Sequence, residues 1–562
     1  MVKFLNILFE KQINSITIAA IFVASSSLVS RLLGVFRDRI LAGEFGAGDT
    51  LDIYYAAFRI PDLVFNLLVL GALSAGFIPV FSGLAKGENG EIKNKQAWLF
   101  ANNLLNTMLI AMVALVAVLE FAAPLLVKMI TPGFSGNKLE LTIALTRIML
   151  LSPLLLGISS IFSGVLQSLK RFFVYSLSPI FYNIGIIIGA LFFVPSRGIY
   201  GLAWGVVLGA LLHLIVQLPL VFSLGYRYFP RLDFKDGLIK KIGILMVPRT
   251  LSLAITQINL VITTIIASTL ASGSLTIFNF ANNLQSFPVG IFGISFAVAA
   301  FPALSDSIKN PKKMVEHFSL TFRQILFFII PFSLIMLALR AQIVRAVLGT
   351  GAFTWRDTIL TMQTLGYFMV GLFAQATIPL LVRMFYARQN SKTPFYIGLV
   401  AVFVNILLSL WLPKITICNN VIGPQGLISS ECSPLGVAGL ALAFSLSSII
   451  NFVLLWILLR KSIGELDGRR ILKSSVKFIF AAIAAGLVVQ GMKDVVLPYV
   501  NMEKTWGIIV QGGVAGAFGL LIYFAVCSLA QSEELFGFWS SFKRRLSWKK
   551  IDAGDQGEAR GI

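Results

Sequence analysis

Charged side chains stand where apolar segments should exclude them, and these residues are the part of the sequence best equipped for chemistry. The first apolar segment carries Arg31, Arg37, Asp38, Arg39 and Glu44, and the second carries Asp52, Arg59 and Asp62. A charge near a bilayer centre costs ~2.5–3.5 kcal/mol on insertion scales, so such a cluster either pairs internally or faces a hydrated cavity. As a pairing network it pins the first helix to the second. As a site it takes an anion, because guanidinium forks match the oxygens of a phosphate or pyrophosphate. Both readings stay open on these residues alone. The second half of the chain offers Arg249, directly after Pro248, and the amides Asn279, Asn282, Asn283 and Gln285. Those amides either hydrogen-bond between helices or line the same cavity. The core of that half has no carboxylate of the kind that coordinates a proton or sodium ion in many antiporters.

Other chemistry lacks its parts. There is no GxxxxGK[S/T] loop, no HExxH and no GxSxG, so nucleotide hydrolysis, metal catalysis and nucleophilic catalysis are not expected. The chain is read as a non-enzyme without cofactor, driven by an ion gradient, the membrane potential or a downhill substrate gradient. Its two histidines, His213 and His317, and its three cysteines match neither a metal centre nor a disulfide framework. His213 reads as hydrogen-bonded structure and Cys527 as packing. Cys418 and Cys432 share one loop between Pro413 and Pro434, where a disulfide is chemically permitted if that loop faces outside.

These residues must be carried by membrane helices. Of 562 residues, 57% are hydrophobic and only 13% charged, and the mean hydropathy is +0.86. A soluble domain is about 25% charged, so a soluble enzyme, a secreted disulfide scaffold and a disordered chain are all excluded. Apolar runs recur from 13–45 to 505–531 and predict about fourteen transmembrane helices in an all-α polytopic membrane protein. Pro61, Pro153, Pro248, Pro288, Pro331 and Pro379 fall inside them as expected kinks. The excess of 46 Lys and Arg over 25 Asp and Glu collects in alternate loops, at Arg227 to Lys241, Lys309 to Lys313, Arg460 to Lys477 and Lys543 to Lys550. That asymmetry is topogenic, places both termini in the cytoplasm and needs no nucleic-acid partner. No removed signal peptide is read at the N-terminus.

Three echoes suggest an internal duplication. Gly198-Ile-Tyr-Gly-Leu-Ala203 returns as Gly436-Val-Ala-Gly-Leu-Ala441, Phe77-Ile-Pro-Val-Phe-Ser82 resembles Ala300-Phe-Pro-Ala-Leu-Ser305, and Ser178-Pro179 resembles Thr393-Pro394. They keep their order at separations of about 215–238 residues, as a parallel repeat would. The expected organisation is an N-terminal lobe over 1–230, a C-terminal lobe over 231–461, a final helix pair within 462–535 and a cytosolic tail from 536 to 562.

Ser30-Arg-Leu-Leu-Gly-Val-Phe-Arg-Asp38, Phe45-Gly46, Asp52, Ala57-Phe-Arg-Ile-Pro61, Gly71-Ala72 and Phe77-Ile-Pro79 resemble the opening signature of the MurJ/MviN lipid II flippases. The run from Gly198 to His213, Ser286-Phe-Pro-Val-Gly290, Gly351-Ala-Phe-Thr354 and Phe385-Tyr-Ala387 extend the resemblance to roughly residues 15–460. The resemblance implies the fold of the multidrug/oligosaccharidyl-lipid/polysaccharide exporter superfamily. It implies movement of an undecaprenyl-linked peptidoglycan precursor, lipid II, from the inner to the outer leaflet of the bacterial cytoplasmic membrane. It also implies a tail groove on the last helix pair, and cell-wall synthesis proteins as further partners beside lipid II and membrane lipids. It puts Arg31, Arg37, Asp38 and Asp52 where the family has functional cavity residues. Where the family often has arginines, this chain has Phe65, Asn66 and Asn283, with Ser286 in place of a nearby glutamate, so Arg59 and Arg249 become candidates for the compensating charge. A related drug or glycan exporter and a non-transporting envelope scaffold are the competing readings.

Overall fold

In hydrocarbon a backbone must satisfy its own polar groups, so long apolar runs fold as helices. The computed structural model describes residues 16–70, 76–85, 95–422, 428–537 and 539. The basic tail from Lys543 to Lys550 and Gly71-Ala72 lie outside the described residues.

The first half runs α1 (Ile16–Phe45), α2 (Asp49–Ala57), α3 (Arg59–Val64) with a π turn at Phe65–Leu70, α4 (Ile78–Ala85), α5 (Lys95–Ile130), α6 (Gly136–Met149), α7 (Leu151–Ser168), α8 (Phe172–Ile188), α9 (Tyr200–Ile215) and α10 (Leu218–Ser223). The second continues with α11 (Gly237–Ser268), α12 (Ser274–Pro288), α13 (Ser295–Asp306), α14 (Pro311–Ala338), α15 (Arg340–Leu348), α16 (Trp355–Val370), α17 (Leu372–Ala387) and α18 (Lys392–Trp411). An antiparallel ribbon of β1 (Thr416–Ile422) and β2 (Ile428–Pro434) leads into α19 (Gly436–Ile463), α20 (Gly468–Val496) and α21 (Thr505–Leu529). Helix occupies part of every expected segment. Among the described residues, ten helices are long and apolar enough to cross a membrane, and eleven if the bent pair Trp355–Val370 and Leu372–Ala387 counts as one span. The fold is therefore an all-α polytopic membrane fold with about ten or eleven apolar spans. Within it, the small ribbon replaces the expected loop at Pro413 to Pro434.

Prolines act at fixed offsets. A proline ring collides with the carbonyl four residues earlier and leaves it without a partner. Pro61 and Pro153 each stand four residues after a helix end, at Ala57 and Met149. The freed Met149 carbonyl accepts Ser152 Oγ at 2.8 Å. Pro331 stays inside α14, and Phe327 O, the carbonyl it frees, accepts Tyr523 Oη at 2.7 Å.

The chain forms two compact units. The first comprises Met1–Phe287, Val344–Gly371 and Lys392–Asn451. In it, α8 and α9 cross so closely that a Cβ on Gly185 or Gly189 would lie 2.3 Å from the backbone of Gly209 or Gly205. Three asparagines of α5 fasten the segment after α10. Asn102 accepts from Tyr226 Oη and Phe229 N at 2.8 and 3.1 Å and donates to Arg227 O at 3.0 Å. Asn103 accepts from Asp233 N and donates to Asp233 O, at 2.8 and 3.0 Å. Asn106 donates to Phe229 O and Arg231 O at 3.2 and 2.8 Å.

The second unit comprises Pro288–Ile343, Leu372–Ser391 and Phe452–Ile562. There α14, α20 and α21 pack together around Phe327, Phe478 and Tyr523. A polar cluster closes one end. Arg323, buried, pairs with Glu534 and at 3.2 Å with Glu533, while Arg470 holds Glu533 at 2.6 Å. Ser474 and Ser532 complete the shell of Glu534 at 2.9 and 2.7 Å. Arg470 hydrogen-bonds the Glu533 carboxylate and holds its pKa below the ordinary glutamate value. A depressed folded-state pKa adds stability above the unfolded value and loses it as pH falls through the folded one. Wild-type protein should therefore melt higher than Glu533→Gln at neutral pH. The gap in melting temperature should close as the pH falls below about 4, the ordinary glutamate value; a gap that stays constant with pH would show that the pair contributes nothing.

Candidate functional site

The charged residues of α1 to α3 gather in the first unit, where each finds a different kind of partner. Arg37 donates from Nε and Nη2 to Asp38 Oδ1 at 3.1 and 2.8 Å, and from Nη1 to Asn183 Oδ1 of α8 at 3.3 Å. Asp38 is 4% exposed, and its second oxygen accepts from Asn283 of α12 at 2.8 Å. Among the described residues Arg31 makes one long contact, from Nη1 to Ser286 O of α12 at 3.5 Å. Arg59 donates from Nε to Thr264 Oγ1 of α11 and from Nη2 to Asn279 Oδ1 of α12, both at 2.8 Å. Arg37 and Asp38 thus form an ion pair on one helix. Among the described residues no salt bridge joins α1 to α2 or α3, and Asp62 of α3 acts on Arg37 and Arg59 through its field alone. Arg37 is adjacent to its own carboxylate and bonds α8, while Arg59 turns to neutral oxygens on α11 and α12. Asn66 donates back to Asp62 O at 2.8 Å on its own helix. Arg249 lies in α11, and its side chain is outside the described residues.

Asp52 is built into a helix start. Only 2% exposed, it accepts from Gly273 N, Thr276 N and Thr276 Oγ1 at 2.8, 2.9 and 2.8 Å, with Lys138 Nζ at 3.4 Å. A carboxylate here satisfies unpaired N–H groups and favours the positive end of α12. Asp49 shares the same lysine at 2.5 Å and accepts from Ser272 Oγ at 2.6 Å. Gly273 has φ +85°, and a Cβ on it would meet Ala47 O at 2.1 Å, so no other residue fits this approach.

A second clasp closes the end of α1. Arg39 Nη1 donates to Ala346 O and, at 3.2 Å, to Val347 O in the last turn of α15. A guanidinium there complements the negative end of the helix. Ala352 N donates to Gly43 O at 2.7 Å. Ala47 N meets Asp357 Oδ2 at 3.4 Å, and the same carboxylate caps the start of α16 from within a Thr354–Asp357 capping box.

Sequence reasoning missed Asn183, Thr264 and Lys138 as partners. An amide or hydroxyl in an apolar run is the signal that points to Asn183 and Thr264, and Lys138 stands in the polar first turn of α6. It also missed the 346–347 carbonyls, which have no side-chain signature. Among the described residues no group of acidic, cysteine and histidine side chains is placed to hold a metal ion.

The family model described as "Lipid II flippase MurJ" matches residues 41–509, most of the chain and all of the site from Asp49 onward. The chain belongs to the MurJ lipid II flippase family. The MurJ chains it resembles include the probable lipid II flippase MurJ of Buchnera aphidicola subsp. Acyrthosiphon pisum, 31% identical over 502 residues, 87% of this chain and 91% of that one. The Vibrio cholerae protein of the same description is 28% identical over 531 residues, covering 91% and 95% of the two chains. A solved structure, "Lipid II flippase MurJ, inward closed conformation", superposes with a TM-score of 0.72 at 24% identity over 94% of this chain and 99% of that one. An inward-facing multidrug-resistance transporter of the MOP superfamily follows at 0.63 and 15% identity, over 80% and 99%. These two likenesses establish the shared fold. In this MurJ-family chain Asn283 spends its amide on Asp38.

The partners of Arg31 and Arg37 predict opposite outcomes for two similar substitutions. Arg37→Ala strands the buried Asp38 carboxylate and should cost about 3 kcal/mol, the lower end of the range for breaking a buried pair. Arg31→Ala removes one long hydrogen bond and should leave the melting temperature in detergent nearly unchanged. Equal melting temperatures for the two variants would refute this division of roles.

Proposed function

We propose that the chain is a lipid II flippase that carries the undecaprenyl-linked peptidoglycan precursor from the inner to the outer leaflet by alternating access. The observation that carries this reading, beside family membership, is that Arg31 and Arg59 form no salt bridge among the described residues. They hydrogen-bond there to carbonyl, hydroxyl and amide oxygens, and the Asp62 carboxylate near Arg59 is a partial counter-charge. Their charge remains available to a pyrophosphate, and their planar forks suit its oxygens. Arg37 keeps a fork anchored to Asp38 and Asn183, where it shapes the site and adds field. Arg249 and Asn283 belong to the same proposed head-binding surface, and Arg249 supplies charge from the second repeat.

Asp52 acts in this reading as a gate residue. Its grip on the start of α12, with the Arg39 clasp on α15, keeps the outer side shut while the head is held. Both contacts break when the head is delivered. The lobes that rock are 1–230 and 231–461, and α20 with α21, inside 462–535, offers the groove for the lipid tail. The protein sits in the bacterial cytoplasmic membrane with both termini and the Arg460 to Lys477 segment inside, so the β1–β2 ribbon is outside. No chemical bond is made or broken, and the membrane potential supplies ~2.3 kcal/mol per charge per 100 mV for moving a charged intermediate.

Complementation of a strain depleted of its own lipid II flippase tests the reading. Rescue is expected from the wild type, while a drug or glycan exporter or an envelope scaffold does not rescue. Arg31→Ala should reach wild-type abundance yet fail to rescue, and in reconstituted vesicles it should lower lipid II translocation at least about tenfold, the effect of losing roughly 1.4 kcal/mol of charge-assisted binding. Arg59→Lys keeps the charge but loses the fork and should also impair translocation. A fully active Arg31→Ala would remove the site from Arg31.

A further inference from the structure

The ribbon between α18 and α19 contains two of the chain's three cysteines. Its register pairs Thr416 with Pro434, Ile417 with Ser433 and Cys418 with Cys432. Along an antiparallel ladder, hydrogen-bonded and non-hydrogen-bonded pairs alternate, so one bond at the base fixes the phase of all of them. That bond is Leu435 N to Ile415 O at 2.9 Å, which makes 415/435 a hydrogen-bonded position. The pair 416/434 is then non-hydrogen-bonded, and Pro434, which has no N–H, is confined to such a position. Counting inward, 417/433 is hydrogen-bonded and 418/432 is not.

This phase matters chemically. Non-hydrogen-bonded partners are the closer class, with Cα atoms about 4.5 Å apart, and directly opposite residues share one face of the ribbon. A disulfide spans Cα separations of about 4.4–6.8 Å. A slip of one residue would put the two cysteines on opposite faces. We propose that Cys418 and Cys432 form a disulfide that ties the two strands of the outer ribbon. In forming it, the two thiols give up two protons and two electrons. A disulfide-bearing oxidant accepts the electrons through thiol–disulfide exchange and leaves as a dithiol. Such bonds are rare on the reducing side of a membrane, so the proposal rests on the orientation given above. The third cysteine, Cys527 of α21, is a buried free thiol.

The test is labelling of intact spheroplasts with a membrane-impermeant maleimide, with and without an impermeant phosphine reductant, followed by mass mapping of the cysteine peptides. Cys418 and Cys432 should both stay unlabelled before reduction and both be labelled after it, while Cys527 is labelled in neither sample. Cys418→Ser should expose Cys432 to the reagent without reduction, and Cys432→Ala should do the same for Cys418. Label on either cysteine of the unreduced wild type overturns the disulfide and leaves the orientation standing. Label that needs both reduction and permeabilisation supports the disulfide and overturns the orientation. Label that appears on permeabilisation alone overturns both.

Discussion

A guanidinium surrounded by hydrocarbon has to be hydrated, paired or hydrogen-bonded, and the rest of the first unit is arranged around how four arginines meet that requirement. Arg37 takes a carboxylate from the next residue, which neutralises it locally and leaves the second oxygen of Asp38 for Asn283. Arg39 takes the last carbonyls of a short helix. Arg59 takes a hydroxyl and an amide, and Arg31 takes almost nothing. The series runs from full neutralisation to near freedom. The anion site proposed above lies at the free end of that series, and its scaffold at the other.

The same demand governs the main chain. Prolines in α7 and α14 each release one carbonyl, and a serine and a tyrosine hydroxyl retrieve them. The start of α12 exposes N–H groups, and Asp52 collects two N–H groups there and the Thr276 hydroxyl. Kinks and helix ends therefore lie where a partner reaches them.

Much of this could be read from the sequence, and the remainder was hidden for a definite reason. Apolar runs announced the helices, because hydrophobicity is the property that the bilayer selects. The cluster from Arg31 to Asp62 announced itself as charge where charge is costly. Its partners divide sharply. Those that are side chains in the expected polar stretch, Asn279 and Asn283, were in view. Those that are main-chain atoms, such as Ala346 O, Val347 O, Ser286 O and Gly273 N, left no mark in residue type. The ribbon reads as a loop in the sequence because its strands are polar and alternate too little to signal sheet.

The three asparagines of α5 lead to a statement about variation between related chains. Their amides mostly grip carbonyls and N–H groups of residues 227–233, atoms that every amino acid carries, so the segment's side chains are free to drift while its path is held. Length is another matter. An inserted or deleted residue would move each carbonyl past the amide meant for it and break several contacts together. The stretch should therefore accept substitutions readily and reject gaps, a pattern by which a main-chain clamp can be told apart from a side-chain binding site.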